Sequence, residues 1–149
     1  MAQLIFDFMS ADHDRLDGLF KEFQKAMNGR PAEAKKLFSE FSFGLKRHIV
    51  WEEEILFPLF EERTGMKDGG PTEAMRFEHL QIKSFLKEID GRISLVQDST
   101  GAEQELLRIL GDHNMKEEHI LYPSIDESLG EKEIKAVLEK ITKTRRSHL

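Results

Sequence analysis

Histidine and glutamate recur in this chain at spacings that suit the binding of divalent cations. Residues 48–58 read HIVWEEEILFP and residues 113–123 read HNMKEEHILYP. Superposed, they share His48/His113, Glu52/Glu117, Glu53/Glu118, Ile55/Ile120, Leu56/Leu121 and Pro58/Pro123, with Phe57 opposite Tyr122. Upstream, Asp12-His13 with Leu16 and Phe20 matches Glu78-His79 with Ile82 and Leu86. The chain is therefore a duplicated unit, a histidine followed at a distance by His-x-x-x-Glu. Residues four apart on a helix project from one face, so His48 pairs with Glu52 and His113 with Glu117. Carboxylates buried without a partner are costly, and they neutralise or find a cation. Four imidazoles (His13, His48, His79, His113) and two carboxylates (Glu52, Glu117) around two divalent ions meet that need. Nitrogen and oxygen donors without sulfur suit iron, manganese or zinc. Six protein ligands leave coordination positions open to water, dioxygen, nitric oxide or peroxide.

Helices must carry these side chains to one level. Apolar residues at helical spacing (Ile5, Met9, Leu16, Leu19, Phe20, Phe23, Met27) predict a first helix over about residues 4–27. Gly29 suits a left-handed stop, and Pro31 suits the first turn of a second helix to about Arg63. Pro58 and Pro123 should each bend their helix by removing a backbone donor. A third helix opens at Pro71 and runs to about Val96, with Phe77, Leu80, Phe85, Leu86, Ile89 and Ile93 facing inward. The fourth covers about 102–127. A shorter helix over about 131–147 carries Ile134, Val137, Leu138 and Ile141 on one face, either to close the bundle's end or to meet a partner. No stretch reads as a strand. The expected fold is all-α, an up-down-up-down antiparallel four-helix bundle over about 4–128 with an extra C-terminal helix, one domain over 1–149. Such a bundle brings His13, His48, His79 and His113 to similar heights.

Bulk properties narrow the function. The 149 residues carry a net charge of −6, against nucleic acid as a partner. With no cysteine, thiolate zinc sites and iron–sulfur ligation are excluded. No apolar run is long enough to span a membrane, and no secretory leader is legible, so a cytoplasmic location is expected. Ferritin-like sites use Glu-x-x-His pairs, and the sequence has none; a His-Glu-x-x-His motif is also lacking.

The tandem His…His-x-x-x-Glu…Leu-Phe/Tyr-Pro signature resembles the hemerythrin-like, or HHE cation-binding, family over roughly residues 4–128. That resemblance implies two iron ions in an oxo- or hydroxo-bridged centre, with manganese or zinc as possible substitutes. Carried over by position, it implies His13, His48, Glu52, His79, His113 and Glu117 as ligands, with Glu52 and Glu117 bridging. The chain departs from the oxygen carriers at two places. Met75 stands where they have a fifth histidine, and their fourth-helix carboxylate would fall on Glu118. By helical geometry Glu117 lies roughly 40° from His113 and Glu118 roughly 140°, so Glu117 is preferred and Glu118 is the alternative. The resemblance implies binding of a small diatomic or peroxo ligand. Peroxidase, nitric oxide-reducing or iron-centre repair activity is a second expectation, and an iron- or oxygen-sensing module with a redox or signalling partner a third. The cysteine-bearing region of many repair members is not seen here, which weighs against that version. Met9 and Met75 read as filling beside the site. Tyr122, near 180° from His113 on an ideal helix, reads as packing, and His119 and His148 read as surface residues.

Overall fold

A computed structural model describes residues 3–144. Among these residues there is no strand, and the chain forms five rods. The first is α1 (Ile5–Ala26). The second is α2 (Pro31–Trp51), running through a five-residue π-helical turn, Glu52–Leu56, into α3 (Phe57–Thr64). The third is α4 (Pro71–Ser94). The fourth is α5 (Thr100–Lys116), running through a second π turn, Glu117–Leu121, into α6 (Tyr122–Ser128), and the fifth is α7 (Glu131–Thr142). α1 packs along α2 and α4 along α5, and α2–α4 and α1–α6 contacts close the four-helix bundle.

Local chemistry sets the ends. Gly29 follows α1 at φ 87°, and Gly65 ends α3 at φ 73°, both in the left-handed region that glycine enters without a Cβ clash. Pro31 and Pro71 open α2 and α4, where the missing N–H costs nothing. The free N–H groups of Ile5 and Phe6 at the start of α1 donate to the two oxygens of Asp126 at 2.8 and 3.0 Å, which ties α1 to α6.

Two apolar cores result. One holds Leu16, Phe20, Phe23, Phe38, Phe41, Leu45, Ile82, Leu86, Ile89 and Leu106. The other holds Ile5, Met9, Leu56, Phe57, Met75, Leu121, Tyr122 and Ile125, together with Ile134, Val137 and Ile141 of α7. The stripe of α7 is thus buried against the bundle's end and is not a free partner face. Met9 and Met75 fill the second core, as the sequence suggests. Phe77 and Leu80 depart from expectation, being 62% and 66% exposed. The inward stripe of α4 is Met75, His79, Ile82, Leu86 and Ile89, and neither residue falls on its side of the helix. Residues 145–149 of the expected C-terminal helix, His148 among them, lie outside the described residues.

Candidate metal centre

His13 lies between Met9 of one core and Leu16 of the other, and His79 lies in the same way between Met75 and Ile82. His48 and His113, with Glu52 and Glu117, occupy the same level on the second and fourth rods. All six side chains are 0–3% exposed, so this is a polar layer sealed between two apolar cores. The imidazoles pair off. The rings of His13 and His48 are 4.6 Å apart between centroids, and those of His79 and His113 are 4.9 Å apart.

The two carboxylates lie between the pairs, and each turns one oxygen toward each pair. Glu117 Oε1 is 3.2 Å from His13 Nε2, and its Oε2 is 3.2 Å from His113 Nε2. Glu52 Oε1 is 3.1 Å from His79 Nε2, and its Oε2 is 3.7 Å from His48 Nε2. Two donor groups follow from these distances: Glu52, His79, His113 and Glu117, and separately His13, His48 and Glu117.

Every ring shows the same nitrogen to the layer, because an outer carboxylate holds the other. The Nδ1–H groups of His13, His48, His79 and His113 donate to Glu118, Asp12, Glu53 and Glu78 at 2.7, 2.8, 2.8 and 2.8 Å. An ionised carboxylate can only accept, so Nδ1 carries the proton and Nε2 is left for the centre. Arg15 and Lys116 in turn hold Asp12 and Glu78. Glu118 faces the back of His13, whereas Glu117 lies in the layer. The four outer carboxylates have no role in the sequence reading as a set, although each stands at a repeated position. The missing signal was a partner on another helix, which spacing along one helix does not reveal.

Tyr122 requires a correction: it is not merely packing. Its hydroxyl lies in the layer, 2.7 Å from Glu52 Oε2, 3.0 Å from Glu117 Oε1, 3.1 Å from His48 Nε2 and 3.4 Å from His13 Nε2. The cause is the second π turn, where Tyr122 N–H donates to Glu117 C=O, five residues back. One extra residue per turn delays the rotation by about 100°, bringing Tyr122 from roughly 180° to roughly 80° of His113. The first π turn does the same for Phe57, whose ring stacks on His79 at 5.7 Å between centroids and 8° between planes. His119 is exposed, as expected.

Burial and close opposite charges pull the protonation of the layer in opposite directions. Burial would lower the His13 and His79 imidazoles, but the carboxylates facing them outweigh it and raise both to about 9. Burial and the neighbouring Glu117 raise the Glu52 carboxyl. In Glu117 burial is opposed by bonds to Glu52 and the imidazoles, which hold it well below the usual range. Burial, then Glu117 and Glu52, push the Tyr122 hydroxyl up. Glu117 Oε2 is buried with no hydrogen-bond partner among the described residues, because its contact with His113 is close but poorly aligned. An orphaned carboxylate oxygen facing inward-turned imidazole nitrogens fits a bound cation.

Comparisons with known proteins agree. The profile of the hemerythrin HHE cation-binding domain matches residues 4–144. The chain is 25% identical over 142 residues to an uncharacterized hemerythrin-like protein of Schizosaccharomyces pombe, covering 95% of this chain and 69% of the relative. It is 30% identical over 105 residues to an iron-sulfur cluster repair protein of Edwardsiella ictaluri, covering 64% of this chain and 48% of the relative. It is 26% identical over 125 residues to a DNA nickase of Nostoc sp., covering 84% of this chain and 34% of the relative. The chain thus spans about half of the repair protein and about a third of the nickase. No solved structure matches.

Proposed function

This chain belongs to the hemerythrin HHE cation-binding domain family, and on that premise we propose that it holds two iron ions and binds a small ligand (dioxygen, nitric oxide or peroxide) at that centre. The observation that carries the reading is the placement of Glu52 and Glu117, each with one oxygen toward each imidazole pair. His13 and His48 would hold one ion, and His79 and His113 the other. The two carboxylates would join them. Bound iron supplies Lewis-acid and one-electron chemistry together with coordination positions that the protein does not fill.

The chain's own part is orientation and exclusion. The outer carboxylates fix the ring tautomers, and the two apolar cores keep bulk water from the layer. No described helix is long and apolar enough to cross a membrane, and we place the protein in the cytoplasm.

The similarity to an iron-sulfur cluster repair protein favours a second reading, in which the site turns over its ligand or gives up iron. One experiment separates them: metal content and visible spectrum of protein purified without oxygen, then exposed to air. Two irons per chain and a band reversed by removing oxygen support ligand binding. A transient band decaying to a stable ferric form supports turnover. Zinc alone, or fewer than two irons after loading, overturns the two-iron reading.

A further inference from the structure

We propose that Tyr122 is a seventh protein donor, its Oη binding the cation held by His13 and His48, so that the two halves of the centre are chemically unequal. The inference rests on the two-cation reading above. Its ground is position. Two donors at about 2.1 Å from one ion, with angles between tetrahedral and octahedral, lie about 3.0–3.4 Å apart. Tyr122 Oη is 3.0, 3.1 and 3.4 Å from Glu117 Oε1, His48 Nε2 and His13 Nε2, three of the four donor atoms of this half, and donates its proton to the fourth, Glu52 Oε2, at 2.7 Å. A surface hydroxyl cannot wander into such a place by chance. Tyr122 is fully buried, and the π turn that aims it is a rare element frequently found at functional sites.

The repeat supplies an internal control. In the other half the equivalent residue is Phe57, aimed by its own π turn against His79, and it offers no oxygen. The two halves therefore match in imidazoles, carboxylates and helix register, and differ in this one donor. The half of His79 and His113 would then have one protein donor fewer, and so more room for an outside ligand. Binding displaces the hydroxyl proton to solvent and transfers no electron.

The chain contains one tyrosine, so a tyrosinate signature can come from no other residue. The test is the full chain loaded with iron, oxidised, assayed for metal content and read by visible absorption and resonance Raman spectroscopy. Expected are two irons per chain, a tyrosinate-to-iron charge-transfer band with phenolate ring modes, and complete loss of both in Tyr122→Phe with two irons retained. Two irons without a tyrosinate signature overturn this inference and leave the two-iron reading standing. A band that survives in Tyr122→Phe also overturns it. Failure of the unaltered chain to bind two irons overturns both. Should Tyr122→Phe not fold, the Raman spectrum of the unaltered chain decides alone.

Discussion

Asp12 accepts a 2.8 Å hydrogen bond from Nδ1 of His48, a residue on the neighbouring helix, and is itself held by Arg15 at 3.0 Å. The bond turns Nε2 of His48 toward the layer and fixes its tautomer before any cation arrives. Replacing Asp12 with asparagine keeps the shape, and the amide oxygen still accepts, but the negative charge is lost. Outer partners of this kind are worth about 10- to 100-fold in metal affinity. Asp12→Asn should weaken iron binding by the lower part of that range and Asp12→Ala by the upper. Competition against a chelator of known affinity measures both, and helical circular dichroism should be unchanged. Equal affinity in all three proteins would remove the orienting role.

Glu117 and Glu118 are adjacent but face different things. Glu117 is within 3.2 Å of imidazoles from both pairs, whereas Glu118 bonds the back of His13 and is 30% exposed. Glu117→Gln should leave fewer than two irons per chain. Glu118→Gln should keep two, with affinity lowered about 10-fold. Elemental analysis after identical loading decides, and the reverse pattern would make Glu118 the carboxylate that binds.

Protonation of the cation-free layer makes stability depend on pH. His13 and His79 rise from 6.5 to about 9 on folding. Their contribution is therefore complete below 6.5 and is lost as pH climbs through 9. It amounts to on the order of 3 kcal/mol per imidazole at most. The urea midpoint of the metal-free protein should fall across that window. Metal binding at neutral pH should release protons, visible by calorimetry in buffers of different ionisation enthalpy. A midpoint independent of pH and no proton release would contradict the charge state described here.

The second π turn has a residue to spare. Ile120 lies within it and is 58% exposed, so its own side chain contributes little to the core. Deleting it restores ordinary helical register and rotates everything downstream by about 100°. Tyr122 and Ile125, both fully buried, would leave the core. The expected loss is about 3–5 kcal/mol, comparable to truncating a large buried side chain, read from chemical denaturation of the metal-free protein. An unchanged midpoint would mean that the turn is incidental.

The sequence made some of this legible and hid the rest for physical reasons. Helix spans were readable because proline, glycine and apolar spacing all act within a few residues, as at Gly29 and Pro71. The six inward side chains were readable because duplication repeats them, and the structure brings them to one layer. Phe77 and Leu80 misled because an apolar residue satisfies a helical pattern whether or not it faces the core. Tyr122 misled more instructively. A constant rotation per residue puts it near 180° from His113, and the rate changes inside the π turn. Asp12, Glu53, Glu78 and Glu118 were visible as letters, but each finds its histidine on a different helix.

Both π turns begin at the repeated glutamate, Glu52 and Glu117, and end four residues on at a repeated leucine, Leu56 and Leu121. A one-residue insertion into a packed helix rotates all that follows, so it persists only where the rest of the unit already suits it. Finding it at the same place in both copies is more economically one ancestral event than two. A single insertion before the duplication accounts for both turns, in a helical hairpin carrying two imidazoles and one carboxylate. Such a hairpin holds half of this layer, and only by meeting its own twin could it have closed one. The present chain keeps that encounter as a covalent fact, and Phe57 opposite Tyr122 marks where the twins have since diverged.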